Sequence, residues 1–172
     1  MDAQTLRETQ APLKAKYRDD PDSAVVTLHA SAALDEGISC SIDTGRAVAV
    51  AGLHPATGGD GSLLCSGDML LQALAACSGV TLRAVATSLG IELRGGTISV
   101  DGDLDFRGTL AVDKEAPVGF RDIRVAITLD TDAAAADVAT LLKLTERYCV
   151  VYQTLAQGPR LDVTLDRAKT TA

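Results

Sequence analysis

Hydrophobic and polar positions alternate along several stretches of this chain and recur at a helical spacing along two others. In AVVTLHASAAL, Val26, Leu28 and Ala30 fall on one face and Val25, Thr27, His29 and Ser31 on the other, which predicts a half-buried strand. RDIRVAITLD sets Ile123, Val125, Ile127 and Leu129 against Arg124, Ala126, Thr128 and Asp130 in the same way. GGTISVDGDLDF has strand character, and LDVTLD near the end predicts a last strand. GISCSID and RAVAVAGL flank Asp43-Thr44-Gly45, a spacing that predicts a hairpin with Gly45 in the left-handed position.

The longest apolar run, Met69 to Leu82, predicts a core helix opened by Ser66 as N-cap and closed by Gly90 as C-cap. Its polar positions Asp68, Gln72, Arg83 and Thr87 form one narrow stripe, so the helix is expected to be wrapped on nearly all sides. Ala73, Ala76 and Gly79 lie close together and permit another backbone to approach, a second subunit being one such partner. A second helix is expected after Thr131 or Asp132 as cap, with Val138, Leu141, Thr145, Tyr148, Cys149, Tyr152 and Leu155 on one broad face and a break near Thr145.

Between the strands and the core helix, GLHPATGGDGSLLCSG is rich in turn residues; its GGDG lacks the Lys-Ser or Lys-Thr of a phosphate loop and reads as a flexible connection or lid. Residues 1–23 are a polar arm or helix ahead of a single domain over residues 24–172. Strands, central helix, strands, helix and strand in that order define an α+β chain.

Composition narrows the function. A net charge of -7 and 3% aromatic residues leave neither the clustered cations that duplex binding needs nor the stacking platforms of single-strand binders, so no nucleic acid is expected as partner. The start of the chain has no apolar segment behind a basic one, which predicts a cytoplasmic protein. The Met69–Leu82 run is short for a bilayer span, so no membrane association is expected.

In that reducing compartment Cys40, Cys65, Cys77 and Cys149 are expected as free thiols, metal ligands or redox-active groups rather than a disulfide framework. No two form a C-x-x-C pair, and His29 and His54 stand apart from each other, so neither a metal site nor a cofactor is expected. Cys77 and Cys149 both fall on apolar helical faces, where a cysteine is commonly a small buried hydrophobe.

The segments GDMLLQALAACSGVTL and ERYCVVYQTL, with the order of elements around them, resemble the paired cysteine motifs of the OsmC/Ohr family, the osmotically inducible protein C and organic hydroperoxide resistance proteins. The likeness covers roughly residues 24–166. It implies an intertwined homodimer in which antiparallel sheets surround central buried helices and two active sites lie at the subunit interface. It also implies roles: Cys77 attacks an organic hydroperoxide, Cys149 resolves the sulfenic acid as a Cys77–Cys149 disulfide, and an external dithiol, in this family often a lipoylated protein, restores both thiols.

A buried thiol needs help to ionise, and Cys77 is too far from the first turn of its own helix to feel that dipole. The hydroperoxide reductases use an arginine on an N-terminal loop and a glutamate at the start of the central helix. Here Asp35 stands where that arginine is sought, Asp68 is the available carboxylate, and Arg46 and Arg147 are the candidate cations. His54 is a further candidate contact, and Val150 replaces the proline that commonly follows the resolving cysteine. Two other readings stay open: a noncatalytic ligand-binding or stress-response protein of the same fold with inert thiols, and a metal protein in which Cys65, Cys77, Cys149 and His54 converge.

Overall fold

The computed structural model describes residues 3–34, 40–42 and 51–165. Its centre is an antiparallel sheet in the order β2-β1-β5-β6, with β1 at Val25–Leu34, β2 at Cys40–Ile42, β5 at Gly95–Asp105 and β6 at Phe120–Asp130. The two most regular alternations in the sequence are thus β1 and β6, and β5 joins them, pairing Val25 with Asp105 on one side and Val100 with Val125 on the other. Period 2 decides which face is covered: Ile98 and Val100 of β5 are buried and Ile123, Val125, Ile127 and Leu129 of β6 half-buried, while Arg124, Ala126 and Thr128 face out.

The core helix, α2 (Ser66–Leu89), lies across that inner face. Leu71, Leu74, Ala75, Ser78, Gly79, Leu82 and Ala86 are buried, a stripe at helical spacing. Two helices flank it, α4 (Ala135–Tyr148) and α5 (Val150–Ala156), and Leu141 and Thr145 of α4 complete the core. Gly90 ends α2 at φ 68°, its N–H bonded to the carbonyls of Ala86 and Thr87, as the C-cap reading requires. The first residue of α2 is Ser66, so the N-cap position falls to Cys65, and no side chain caps the helix.

Several other expectations change. The helix is covered on one side only: Met69, Leu70, Ala73 and Val80 are exposed, and Gly79, expected beside Ala73, packs inward instead. The α4 cap is Ala134, because Thr131 is engaged with the Glu92 carbonyl and the Ala133 N–H, and Asp132 with Arg94. The break expected near Thr145 occurs at Cys149. Tyr148 and Leu155 are exposed, outside the buried face assigned to them. LDVTLD forms no strand over its described residues, and Leu161, Val163 and Leu165 stand in solvent. At 24 residues, α2 is long and apolar enough to cross a membrane by length and composition, so the shortness of its apolar run is no argument; in this fold it packs on the sheet and on α4 and α5.

The N-terminal arm is a helix, α1 (Ala3–Asp19), docked on the turn that precedes α2. Tyr17 is buried and donates its hydroxyl to the Ala56 carbonyl at 2.8 Å, and Gln10 reaches the Thr57 carbonyl at 3.1 Å. The turn is held from within as well. Its ends pair as short parallel strands, β3 (Ala51–Gly52) and β4 (Leu64–Cys65). A Cβ on Gly59 would lie 1.7 Å from the Leu53 carbonyl oxygen, and the Asp60 carboxylate accepts from Ser62. The Gly-rich stretch is therefore a packed turn rather than a loose lid. The Asp43-Thr44-Gly45 turn and Asp35 lie outside the described residues.

After β5 the short helix α3 (Phe106–Thr109) opens a loop built on one ion pair. Asp105 is buried, accepts the Arg107 N–H as N-cap, and takes the Arg107 guanidinium at 2.5 Å, while Arg107 also reaches Asp113 at 3.5 Å.

Candidate functional site

Cys149 interrupts what would otherwise be one long helix. Its N–H closes α4 on the Thr145 carbonyl and its carbonyl accepts from Gln153 in α5, but its own backbone is extended at φ -71°, ψ 107°. Neither glycine nor proline marks the spot. The break turns the Cys149 side chain into the core, where it is 0% exposed, 3.6 Å from the Ser78 hydroxyl of α2.

Cys77 is one helical position before Ser78, half-buried at the border between the packed and open faces of α2. The two thiols, 72 positions apart in sequence, come within hydrogen-bonding reach of one another, and both are free. Burial pushes the Cys77 thiol up, but the nearby Val151 N–H, Cys149 thiol, Thr81 hydroxyl and Val150 N–H favour the thiolate and together hold it below its ordinary value. Cys149 goes the other way. Burial raises it, the Tyr152 N–H and Ser78 oppose that, and Cys77 raises it further.

The surroundings thus set the two thiols apart, Cys77 below its ordinary value and Cys149 above it, and backbone amides at the helix break contribute to that difference. Among the described residues no cation is one of the groups that move Cys77. Val150 is the first residue of α5, a position that proline tolerates well. Valine there keeps an N–H that proline would lack.

The other candidates lie elsewhere. Asp68 is in the first turn of α2, nine positions and about 13 Å along the axis from Cys77 at 1.5 Å per residue. Burial pushes its carboxyl up, and His54 opposes that. His54 caps the Pro55–Thr57 turn, accepting the Ala56 N–H on Nδ1 at 3.0 Å, and its ring stacks on Phe106 at 5.0 Å. Cys65, the third described thiol, borders a cleft of about 420 Å³ with His54, Leu70 and Phe106, apart from the cysteine pair. Arg147 is exposed and lies 5.7 Å from the centre of the Tyr148 ring. Arg46 lies outside the described residues. Among the described residues no group of three or more His, Cys, Asp or Glu side chains is arranged to hold a metal ion. Sequence reasoning therefore found both thiols but missed the amides of Val150 and Val151, which carry no side-chain signature.

An antiparallel sheet covered by a long central helix, with one thiol on that helix and a second at a break in a neighbouring one, defines an α+β protein built around a cysteine pair. The family of OsmC-like proteins matches residues 59–164, more than half of the chain, and the chain belongs to that family. Among solved structures it is similar to an OsmC-like hydroperoxide resistance protein from Jannaschia sp. CCS1, with 16% identity, a TM-score of 0.61, and coverage of 86% of this chain and 97% of that one. It is also similar to an OsmC-like protein from Mycoplasma pneumoniae, with 16% identity, a TM-score of 0.55, and coverage of 78% and 86%. At these identities the likeness is one of fold. No curated protein sequence matches the chain.

Proposed function

We propose that this protein is a thiol-dependent peroxidase that reduces organic hydroperoxides in a reducing, cytoplasmic compartment. The observation that carries the reading is the meeting of two free thiols, Cys77 on α2 and the buried Cys149 at the break between α4 and α5, 3.6 Å from Ser78 beside Cys77, with surroundings that push Cys77 down and Cys149 up. The Cys77 thiolate attacks the outer oxygen of ROOH, the O–O bond breaks, and the alkoxide leaves with a proton as ROH, which makes Cys77 a sulfenic acid. Cys149 gives up its proton as its sulfur attacks Cys77, water leaves, and a disulfide forms. An external dithiol, a lipoylated protein being the family's usual kind, then takes the oxidising equivalents and restores both thiols.

The open face of α2 supports an assembly of two chains. Met69, Ala73 and Val80 form an exposed apolar stripe at helical spacing, and Cys77 lies on its border. A second copy packed there gives the peroxide's alkyl group a dry, apolar approach to the sulfur. Asp68 or an arginine of the second copy is then a candidate contact with the peroxide.

Intact and peptide mass spectrometry after one equivalent of cumene hydroperoxide tests the reading, with Cys149→Ser beside the native protein. A rapid Cys77–Cys149 disulfide, with Cys77 sulfenic acid trapped in the variant, is expected. Thiols left unmodified overturn the peroxidase and transfer the weight to a ligand-binding or stress-response role with inert cysteines.

A further inference from the structure

The cysteine pair has two sides. Cys77 borders the open face of α2, whereas Cys149 lines a cavity of about 50 Å³ between α2, α4 and β6, bounded by Ser78, Val125, Ile127, Thr145 and Tyr152. Beyond it lies a groove of about 270 Å³ with largely apolar walls, among them Leu74, Phe120, Ile123 and Leu155. Val125 and Tyr152 belong to both spaces, and Cys77 lines neither. Tyr152 is half-buried and follows Cys149 by three residues. Tyr152 is therefore a wall shared by the groove and the space beside that sulfur.

We infer that the groove between α5 and β6 is the entrance for the dithiol reductant, that Tyr152 gates it, and that the reductant attacks Cys149 rather than Cys77. This rests on the peroxidase reading. The smaller space compares with about 30 Å³ per water in the liquid, so it takes the slender end of a thiol-bearing chain while the groove holds the aliphatic part. In the step itself, a thiolate of the reductant bonds to Cys149 sulfur, the Cys77–Cys149 bond breaks, and Cys77 leaves with the electron pair as thiolate. The second thiol of the reductant gives up its proton and attacks its own sulfur in that mixed disulfide. Cys149 departs and takes up a proton, and the reductant is left as a cyclic disulfide. The leaving-group order agrees with this direction, because the more acidic thiol is the faster to leave and Cys77 is the one held down. Peroxide and reductant then use opposite sides of the same pair and do not compete for one opening.

The test begins with protein whose disulfide has been formed by diamide, without peroxide. A brief pulse of 2-mercaptoethanol, quenched in acid and followed by alkylation, is read by peptide mass spectrometry. The adduct is expected on Cys149 with Cys77 alkylated; an adduct predominantly on Cys77, or equally on both, overturns the inference while the peroxidase reading stands. Failure of diamide to form the disulfide overturns both. If the disulfide forms with diamide but not with cumene hydroperoxide, and the adduct is on Cys149, the peroxidase reading falls and the entrance survives. Tyr152→Ala adds a second measure: reduction by dithiothreitol rises several-fold relative to oxidation by peroxide, and Tyr152→Phe, which keeps the ring, matches the native ratio. An unchanged ratio in Tyr152→Ala removes the gate.

Discussion

The backbone N–H groups of Val151 and Val150, across the gap from the central helix at the break that follows α4, help to hold the Cys77 thiol below its ordinary value. They are free to do so because the chain leaves helical geometry at Cys149, which leaves the first amides of α5 without partners in their own helix. The activation of one cysteine is thus built from the backbone around the other. Val150→Pro removes the donor at a position where proline suits the helix, so the fold should survive. The Cys77 pKa should rise, read from the pH dependence of iodoacetamide alkylation, with Val150→Ala unchanged.

The two thiols have opposite linkage to stability. Cys77 is lower in the folded state than its ordinary value near 9. Its stabilisation is therefore present above that value and lost as pH falls through the folded value. Cys149 is higher than its ordinary value, so its stabilisation is present below pH 9 or so and lost as pH rises through the folded value. Urea titrations from pH 7 to 10 should show Cys149→Ser losing less stability at the alkaline end than the native protein, and Cys77→Ser losing more.

On the outer face of the sheet, Asp103 accepts from Arg124 and from Thr27, both at 2.6 Å, and these bonds bring its carboxyl down to about 2. The stabilisation it supplies is complete above the ordinary carboxylate range and is lost as pH falls toward 2. Arg124→Gln should lower the melting midpoint at neutral pH and make it fall less steeply with acid, the variant and native curves converging toward pH 2, which thermal melts between pH 2 and 7 would show.

Removing one partner of the Asp105–Arg107 pair leaves the other without its counter-charge in a site where Asp105 is 2% exposed. Arg107→Met should cost about 3 kcal/mol, the magnitude found for broken buried pairs. A melting midpoint lower by about 6–12 °C is the expected reading for a chain of this size.

Val80, 40% exposed at the centre of the α2 stripe, reports on assembly. Val80→Glu places a charge at the middle of that apolar stripe, where it has no partner to offset its desolvation. Sedimentation should show the native protein as a dimer and the variant as a monomer, with peroxide turnover falling at the same time. A native protein that sediments as a monomer removes the paired assembly.

Much of the fold is legible in the alternation of the sequence because burial on a sheet has a period of two, and β1, β5 and β6 carry it plainly. The same rule misleads at LDVTLD, where Leu161, Val163 and Leu165 alternate correctly but find no strand to join in one chain. Gly90 is readable because only a residue tolerant of positive φ ends a helix that way. The break at Cys149 is not readable, since it depends on tertiary packing of a side chain rather than on a residue that cannot be helical. Both thiols were visible as residue types. Among the described residues the groups that hold the Cys77 thiol down are two amides, a hydroxyl and the other thiol, and the amides have no side-chain signature to read; Arg46 lies outside those residues.

The place of Cys149 between two helices also bears on movement. A residue inside a helix is locked by bonds before and after it, and shifting it strains a whole turn. Cys149 is a joint, extended between the end of α4 and the start of α5. In the proposed cycle the sulfur meets and leaves Cys77 at this joint, whose N–H and carbonyl stay bonded to Thr145 and Gln153 in the two flanking helices.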